Sequence, residues 1–337
     1  MSFNNTFLRA ARGEVTDYTP VWFMRQAGRS LPGYRELRKK YDVLTLTQTP
    51  DLAAQVSLEP INLLKVDAAI LFADIMLLPI AMGIDVKIVE SVGPVIDSPI
   101  NTKADLAKLR PFEPPKVDFL AQTIKLLRND LQVPLIGFAA APFTLASYLI
   151  EGQPTRKWLK TKRFMFEQPE AWEALMTTLT DATIEYLKVQ VAAGAQAIQI
   201  FDSWVGCLAA EDYRQAVLPH TQRIFKALGE LDIPRLHFGT DTAAMLTDFA
   251  NVEAEVIGLD WRIDFAAART LLPHKVLQGN LDPVAVVAGP KVFQPRVDQM
   301  FAGMTEHRNH IFNLGHGVMP ETNDQHLREL VEYVHGK

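Results

Sequence analysis

The sequence predicts an α/β protein built as a single (β/α)8 TIM barrel, and three observations carry that expectation. Eight short apolar runs recur along the chain from Val21 onward, with helix-like stretches between them. The runs are apolar on successive residues, the pattern of parallel strands buried on both faces. Most of them stop at glycine or a polar side chain, where a barrel of this type gathers its functional groups. An open doubly wound sheet is the competing arrangement. The first run, however, lacks the Gly-x-Gly-x-x-Gly turn that a dinucleotide site needs.

The elements follow in order. Pro20 to Phe23 is the first buried strand, and Arg25 to Lys40 is a loop with a basic second half. Thr49-Pro50 reads as an N-cap with proline at the first helical position, opening a helix through Ala53, Val56, Ile61 and Leu64. Ala68 to Phe72 is the second strand and ends on Ala73-Asp74. Gly83 to Ser98 alternates and contains turn residues, so a small hairpin insertion is expected after strand 2, followed by a helix near Lys103 to Leu109. Val117 to Leu131 has helical spacing, and Pro134 to Phe138 is the third strand, opening into Ala139 to Pro142. Pro169 starts a long amphipathic helix that Gly194 ends as a C-cap. Ala197 to Phe201 runs into Asp202-Ser203 as the fourth strand.

The second half repeats the unit at a shorter interval. Strands are expected at Arg235 to Gly239, Val256 to Asp260, Lys275 to Asn280 and His310 to His316. Helices are expected at Thr242 to Ala250 and Asp264 to Leu272. No Gly-, Ser- or Pro-rich linker divides the sequence, so residues 1–337 read as one domain.

Composition narrows the function classes. The chain is 48% hydrophobic and 22% charged, which supplies ample core and argues against disorder. The net charge is −5 and no long basic stripe exists, so nucleic acid is a poor partner. Cys207 is the one cysteine, which excludes an intrachain disulfide and any multi-cysteine metal site. That usage fits a reducing compartment, with the cytosol as the expected location. Residues 1–18 lack a signal-peptide pattern and no apolar run is long enough to span a bilayer, so neither export nor membrane insertion is expected.

The Pro20 to Lys40 segment organises the functional reading. Its guanidiniums begin where the apolar run stops, with only small or amide side chains between Arg25 and Arg29. A guanidinium grips a carboxylate through two parallel hydrogen bonds, so two of them on one tight loop suit a polyanionic small molecule. Asp74, at the end of the second strand, brings a carboxylate to the same mouth. Gly279 and the Gly315 to Gly317 loop lie where many barrels bind phosphate, but a phosphosugar leaves the double arginine unexplained.

Phe23-Met24-Arg25-Gln26-Ala27-Gly28-Arg29, with Leu31-Pro32 and Tyr34-Arg35 after it, resembles the N-terminal signature of the uroporphyrinogen decarboxylase family. Gly137 to Tyr148 resembles its second signature, and Asp74, Ser203 and His316 spread the resemblance over nearly the whole chain. The resemblance implies cofactor-free, metal-free decarboxylation of the four acetate arms of uroporphyrinogen III to methyls, giving coproporphyrinogen III in heme biosynthesis. It also implies a homodimer.

The residue types suit that chemistry. A protonated pyrrole is its own electron sink, so no pyridoxal or thiamin group is required. A single carboxylate under the macrocycle, Asp74, would accept ring N–H bonds and stabilise whichever ring becomes cationic. Asp74 could instead cap the next helix. Arg25 and Arg29 would clamp the acidic arms and are the expected catalytic partners of Asp74, although arginine is a poor proton donor. The resemblance assigns substrate binding to Tyr148, Ser203 and His316 as well, with backbone or amide contacts from Gln26, Ala27 and Gly28. Arg38 binds a further carboxylate or stays in solvent. His237-Phe238-Gly239 ends the fifth strand where related zinc methyltransferases carry His-x-Cys; here Gly239 replaces the thiol.

Overall fold

A computed structural model describes residues 3–89, 92–302, 304 and 307–337. Its strands are β1 (Ala69–Ile70), β2 (Lys87–Val89), β3 (Gly93–Val95), β4 (Leu135–Ala140), β5 (Ala197–Asp202), β6 (Arg235–Gly239), β7 (Val256–Gly258), β8 (Val276–Leu281) and β9 (His310–Leu314). Seven form one curled, all-parallel sheet in the order β1-β4-β5-β6-β7-β8-β9. Chain order and spatial order agree, as expected when helical crossovers join parallel neighbours.

The strand expected at Pro20 to Phe23 joins the two edges of that sheet. Val21 makes a parallel bridge to Phe312 of β9. On its other side, the Val21 carbonyl accepts a bond from the Asp67 N–H at 2.7 Å, just ahead of β1. The ladder is only one bridge long because side chains take the other N–H groups. Val21 N–H goes to Asp67 Oδ2 at 2.8 Å, Phe23 N–H to Gln26 Oε1 at 3.0 Å and Met24 N–H to Asn313 Oδ1 at 3.2 Å. Pairing is therefore satisfied without a regular strand.

Alternation sorts the side chains into two layers. Trp22, Met24, Ile70, Ile136, Phe138, Leu236, Phe238, Val256, Val276 and Ile311 form one cluster that fills the barrel interior. Their sequence neighbours Leu135, Ile198, Ile257 and Leu277 pack into the surrounding helical layer. A polar chain crosses the interior, with Trp22 Nε1 donating to Gln278 Oε1 at 2.9 Å and Gln278 Nε2 to Gln199 Oε1 at 2.8 Å.

Two of the outer helices start on the proline that their punctuation suggests. The longest, Pro169–Ala193, has proline in its first turn and stops at Gly194, whose φ of 121° suits glycine. Helix Pro50–Leu64 also starts on its proline, but the Thr49 hydroxyl does not cap it; it donates back to the Thr45 carbonyl at 2.7 Å. The stretch from Lys103 is a 3₁₀ helix, Lys103–Lys108, and the one expected from Thr242 shrinks to Ala243–Met245 and Leu246–Phe249.

The insertion after the second barrel strand is the antiparallel hairpin β2–β3, with Lys87 opposite Val95 and Val89 opposite Gly93. Residues 90–91, between these strands in sequence, lie outside the described residues. At the opposite, N-terminal end of the barrel, Asp67 gathers four donors. Tyr18 Oη and His335 Nε2 stand 2.7 Å away, Val21 N–H 2.8 Å and Asn4 Nδ2 3.1 Å. One buried carboxylate thus ties both chain termini to the first two barrel strands.

Candidate active site

A cavity of about 600 Å³ opens at the C-terminal ends of the strands. Its floor is aromatic. Phe138, Phe201 and Phe238, from β4, β5 and β6, meet edge to face with centroids 5.5 and 6.0 Å apart. Tyr34 and Phe72 form a wall in the same edge-to-face manner at 5.5 Å. Ile88, Val92, Gly93 and Pro94 of the hairpin region close one side.

Eight of the nine expected site residues line this space. Arg25, Ala27, Gly28 and Arg29 reach it from the first loop, and Asp74 from the segment after β1. Tyr148 comes from helix Pro142–Glu151, Ser203 from the end of β5 and His316 from the loop after β9. The ninth, Gln26, is a correction. It is fully buried behind the loop, with Oε1 accepting from Phe23 N–H and Nε2 donating to the Ala68 carbonyl at 3.0 Å. Its own N–H donates to the Phe23 carbonyl, so neither its amide side chain nor its backbone N–H is free for a ligand. Arg38 is likewise absent from the lining; its Nη1 donates to the Tyr41 carbonyl at 2.6 Å.

The Gln26 amide sets the loop. Fixing residues 23 and 26 to each other and to the second barrel strand drives Arg25 between them into a left-handed conformation, φ 61°. A non-glycine residue there is strained, and such strain collects at functional positions. Arg25 is held from above as well, since Val318 N–H bonds the Met24 carbonyl at 2.8 Å. Among the described residues, neither the Arg25 nor the Arg29 guanidinium has a hydrogen-bond or ion-pair partner. Two guanidiniums with no partner among the described residues, lining one cavity, have the chemistry to grip carboxylates.

Among the described residues, Asp74 is the one acidic residue of the lining. Its Oδ1 accepts the Met76 N–H at 2.8 Å, which starts the short helix Leu77–Ala81. That bond is a local turn rather than a helix cap, since the helix starts from Met76 without a side-chain cap; the capping reading is not met, and Asp74 lines the cavity. Burial raises the Asp74 pKa above the ordinary carboxylate value, while the Met76 bond and Arg25 pull the other way. Asp74 keeps some exposed surface, and the lining accounts for it: that surface belongs to the cavity wall.

The remaining polar groups are neutral near pH 7. Burial, with Asp74 nearby, pushes the Tyr148 hydroxyl up to about 12, and the ring stacks on Trp204 at 3.9 Å. Burial depresses His316 to about 4, helped by Arg25 and Arg262, so its imidazole is uncharged. Gly315 and Gly317 permit the His316 loop its close packing, because a Cβ at 315 would meet the Trp261 backbone at 2.4 Å. The Ser203 hydroxyl caps no helix; the following 3₁₀ turn, Val205–Cys207, starts from Trp204.

Sequence reasoning passed over Thr144 and the aromatic floor. Thr144 lines the cavity and donates to Asp202 Oδ1 at 2.8 Å; burial raises Asp202 to about 7. The signal for the floor was present, since Phe138, Phe201 and Phe238 share the inward parity of their strands. By the same parity His237 points outward, where it stacks on Phe249 at 3.8 Å in the helical layer. Cys207 is partly buried, and burial raises its thiol pKa to about 12. Among the described residues, no three His, Cys, Asp or Glu side chains cluster as a metal site requires.

The chain is similar to proteins of one family along nearly its whole length. The model of the family described as Uroporphyrinogen decarboxylase (URO-D) matches residues 2–337. Uroporphyrinogen decarboxylase of Geobacillus sp. (strain WCH70) is 49% identical over 334 residues, covering 98% of this chain and 97% of the relative. That of Bacillus subtilis (strain 168) is 47% identical over 336 residues, covering 99% and 95%. Among solved structures, a methyltransferase from Methanosarcina mazei superimposes with a TM-score of 0.78 at 20% identity, covering 98% of this chain and 97% of its own. A B12-independent methionine synthase from Shewanella sp. W3-18-1 gives 0.57 at 14% identity, covering 86% and 88%. These two likenesses concern the barrel fold alone. A full-length family match and relatives nearly half identical along the whole chain place it plainly: the protein belongs to the uroporphyrinogen decarboxylase family.

Proposed function

We propose that this chain decarboxylates uroporphyrinogen III, converting its four acetate arms to methyls and yielding coproporphyrinogen III and carbon dioxide. Family membership supports the reaction. The observation that carries the site assignment is that, among the described residues, one carboxylate, Asp74, and two guanidiniums without partners, Arg25 and Arg29, line the same aromatic-floored cavity.

Each round consumes one proton. A proton added to a pyrrole ring carbon makes an iminium-like ring beside the acetate. The bond to the carboxyl group breaks, its electron pair forms an exocyclic methylene and neutralises the ring, and carbon dioxide leaves. A second proton converts the methylene to methyl, and the first is lost from the ring carbon to restore the pyrrole.

Asp74 serves as the fixed negative group. It accepts bonds from pyrrole N–H groups and is worth most when the ring becomes positive, at a largely buried position where the field is less screened than in bulk water. Arg25 and Arg29 hold the acidic arms, while Ala27 and Gly28 let the macrocycle approach the loop backbone. Tyr148, Ser203 and neutral His316 add hydrogen bonds to carboxylates without adding charge. Arg25, which approaches both Asp74 and His316, is the candidate to deliver the proton directly or through a water it holds.

The same reading treats residues 1–337 as one barrel domain acting in the cytosol as a homodimer. It rests on the sheet spanning the chain from Val21 to Leu314, on a lone cysteine, and on twofold pairing being the commonest oligomer. Among the described residues no helix is long and apolar enough to cross a membrane. Anaerobic incubation with uroporphyrinogen III, following carbon dioxide and the loss of carboxyls, tests the activity; binding without carbon dioxide release would make the protein a tetrapyrrole carrier. Sedimentation at micromolar concentration tests the dimer.

A further inference from the structure

We infer that Glu59 and Arg35 are positioning residues for substrate recognition, acting through the loop that carries Arg29. The inference rests on the functional reading above.

Glu59 sits on helix Pro50–Leu64, outside the barrel and outside the cavity lining. Its carboxylate nonetheless reaches the first turn of helix Pro32–Arg38, with Oε1 accepting from Gly33 N–H at 2.6 Å and Oε2 from Tyr34 N–H at 2.9 Å. Both oxygens are engaged by adjacent orphan donors, so the helix is fixed in position and direction. Residue 33 has to be glycine for this. A Cβ there would stand 2.7 Å from Glu59 Oε1 and 2.8 Å from its Cδ.

That short helix carries two links to the site. Tyr34 forms the cavity wall against Phe72. Arg35 reaches back from the helix, with Nη1 donating to the Ser30 carbonyl at 2.7 Å and the Arg29 carbonyl at 3.2 Å. A chain of bonds therefore runs from the barrel's outer helix through Glu59, residues 33–35 and the Arg35 guanidinium to the backbone of Arg29. The Arg29 side chain has no partner of its own among the described residues. Its direction is set by this backbone support, and losing it costs binding in ground and transition states alike.

The test uses Glu59→Ala, Glu59→Gln and Arg35→Ala in the full chain, with steady-state kinetics on uroporphyrinogen III and binding of unreactive, oxidised uroporphyrin read by its fluorescence. Glu59→Ala and Arg35→Ala are each expected to raise KM and the uroporphyrin Kd by about tenfold, with kcat within about threefold of wild type. Glu59→Gln, which keeps one acceptor oxygen, should recover part of the loss. A kcat fall with unchanged KM and Kd, or no change in either alanine variant, overturns the inference. Arg35 is exposed, so its variant decides the matter if the Glu59 variants do not fold. A wild-type chain that neither binds nor decarboxylates fails the functional reading and this inference with it; a competent wild type with unaltered variants fails this inference alone.

Discussion

Gly317 lies directly beneath the Arg25 side chain: a Cβ at 317 would stand 2.4 Å from Arg25 Cδ and 2.7 Å from Cγ. The loop after the last strand thus sets where the first loop's guanidinium can go. Gly317→Ala is expected to displace Arg25 and lower kcat/KM by at least about tenfold. The fold should persist, because Arg25 is exposed and can move. Kinetics beside a thermal melt check this; unchanged kcat/KM would mean that the Arg25 position does not matter to turnover.

Asp74→Asn keeps the shape and removes the charge. The expected result is a fall in kcat of about 10²–10³, with KM changed by less than about threefold. The acid limb of wild-type kcat/KM should report Asp74. Because burial raises its pKa, activity should fall with decreasing pH at a midpoint above the ordinary aspartate value of about 3.9. Residual activity of the variant should lack that limb.

Stability should decline on mild acidification. Burial holds His237 near 3 and His310 and His316 near 4, so the unfolded chain binds protons at these sites below about 6.5 that the folded chain refuses. That stability is present above 6.5 and is lost as pH falls toward 4. Asp202, raised to about 7, and Asp74 act in the opposite sense over the same window, gaining stability toward acid. Three histidines outweigh two carboxyls, leaving a slope on the order of 1–2 kcal/mol per pH unit near pH 5. Urea denaturation at pH 5 and pH 6.5 checks the sign.

Asp67→Ala removes the acceptor of four donors at the base of the barrel, one of them the Val21 N–H on the closing strand. A loss of about 3 kcal/mol is expected, since buried donors are left unpaired. The substituted protein should keep its KM below the melting transition, because Asp67 lies at the end of the barrel opposite the site. Denaturant titration and kinetics at low temperature separate the two effects.

The barrel was legible because strands buried on both faces read as unbroken apolar runs, and Arg25, Asp74 and Ser203 because each follows such a run directly. Gln26 was misread for a definable reason. The left-handed turn at Arg25 reverses the side on which the next residue points, and nothing in the local alternation announces that turn. Glu59 was invisible because its partners, Gly33 and Tyr34, are met only when helix and loop come together in space. Tyr34 appeared in the sequence only as part of a recognised motif, and its packing on Phe72 gives that motif a physical reason.

The three phenylalanines beneath the mouth turn the bore into a blind end. Among the described residues, one acidic side chain, Asp74, lines the space above them. A tetrapyrrole has four arms to trim, and on the proposal that Arg25 delivers the proton each arm has to be brought to it in turn, either by pivoting in place over Asp74 or by departing and returning in a new orientation. Partly trimmed species with seven, six and five carboxyls are therefore built into the architecture, and their share in free solution measures how often the ring lets go between rounds.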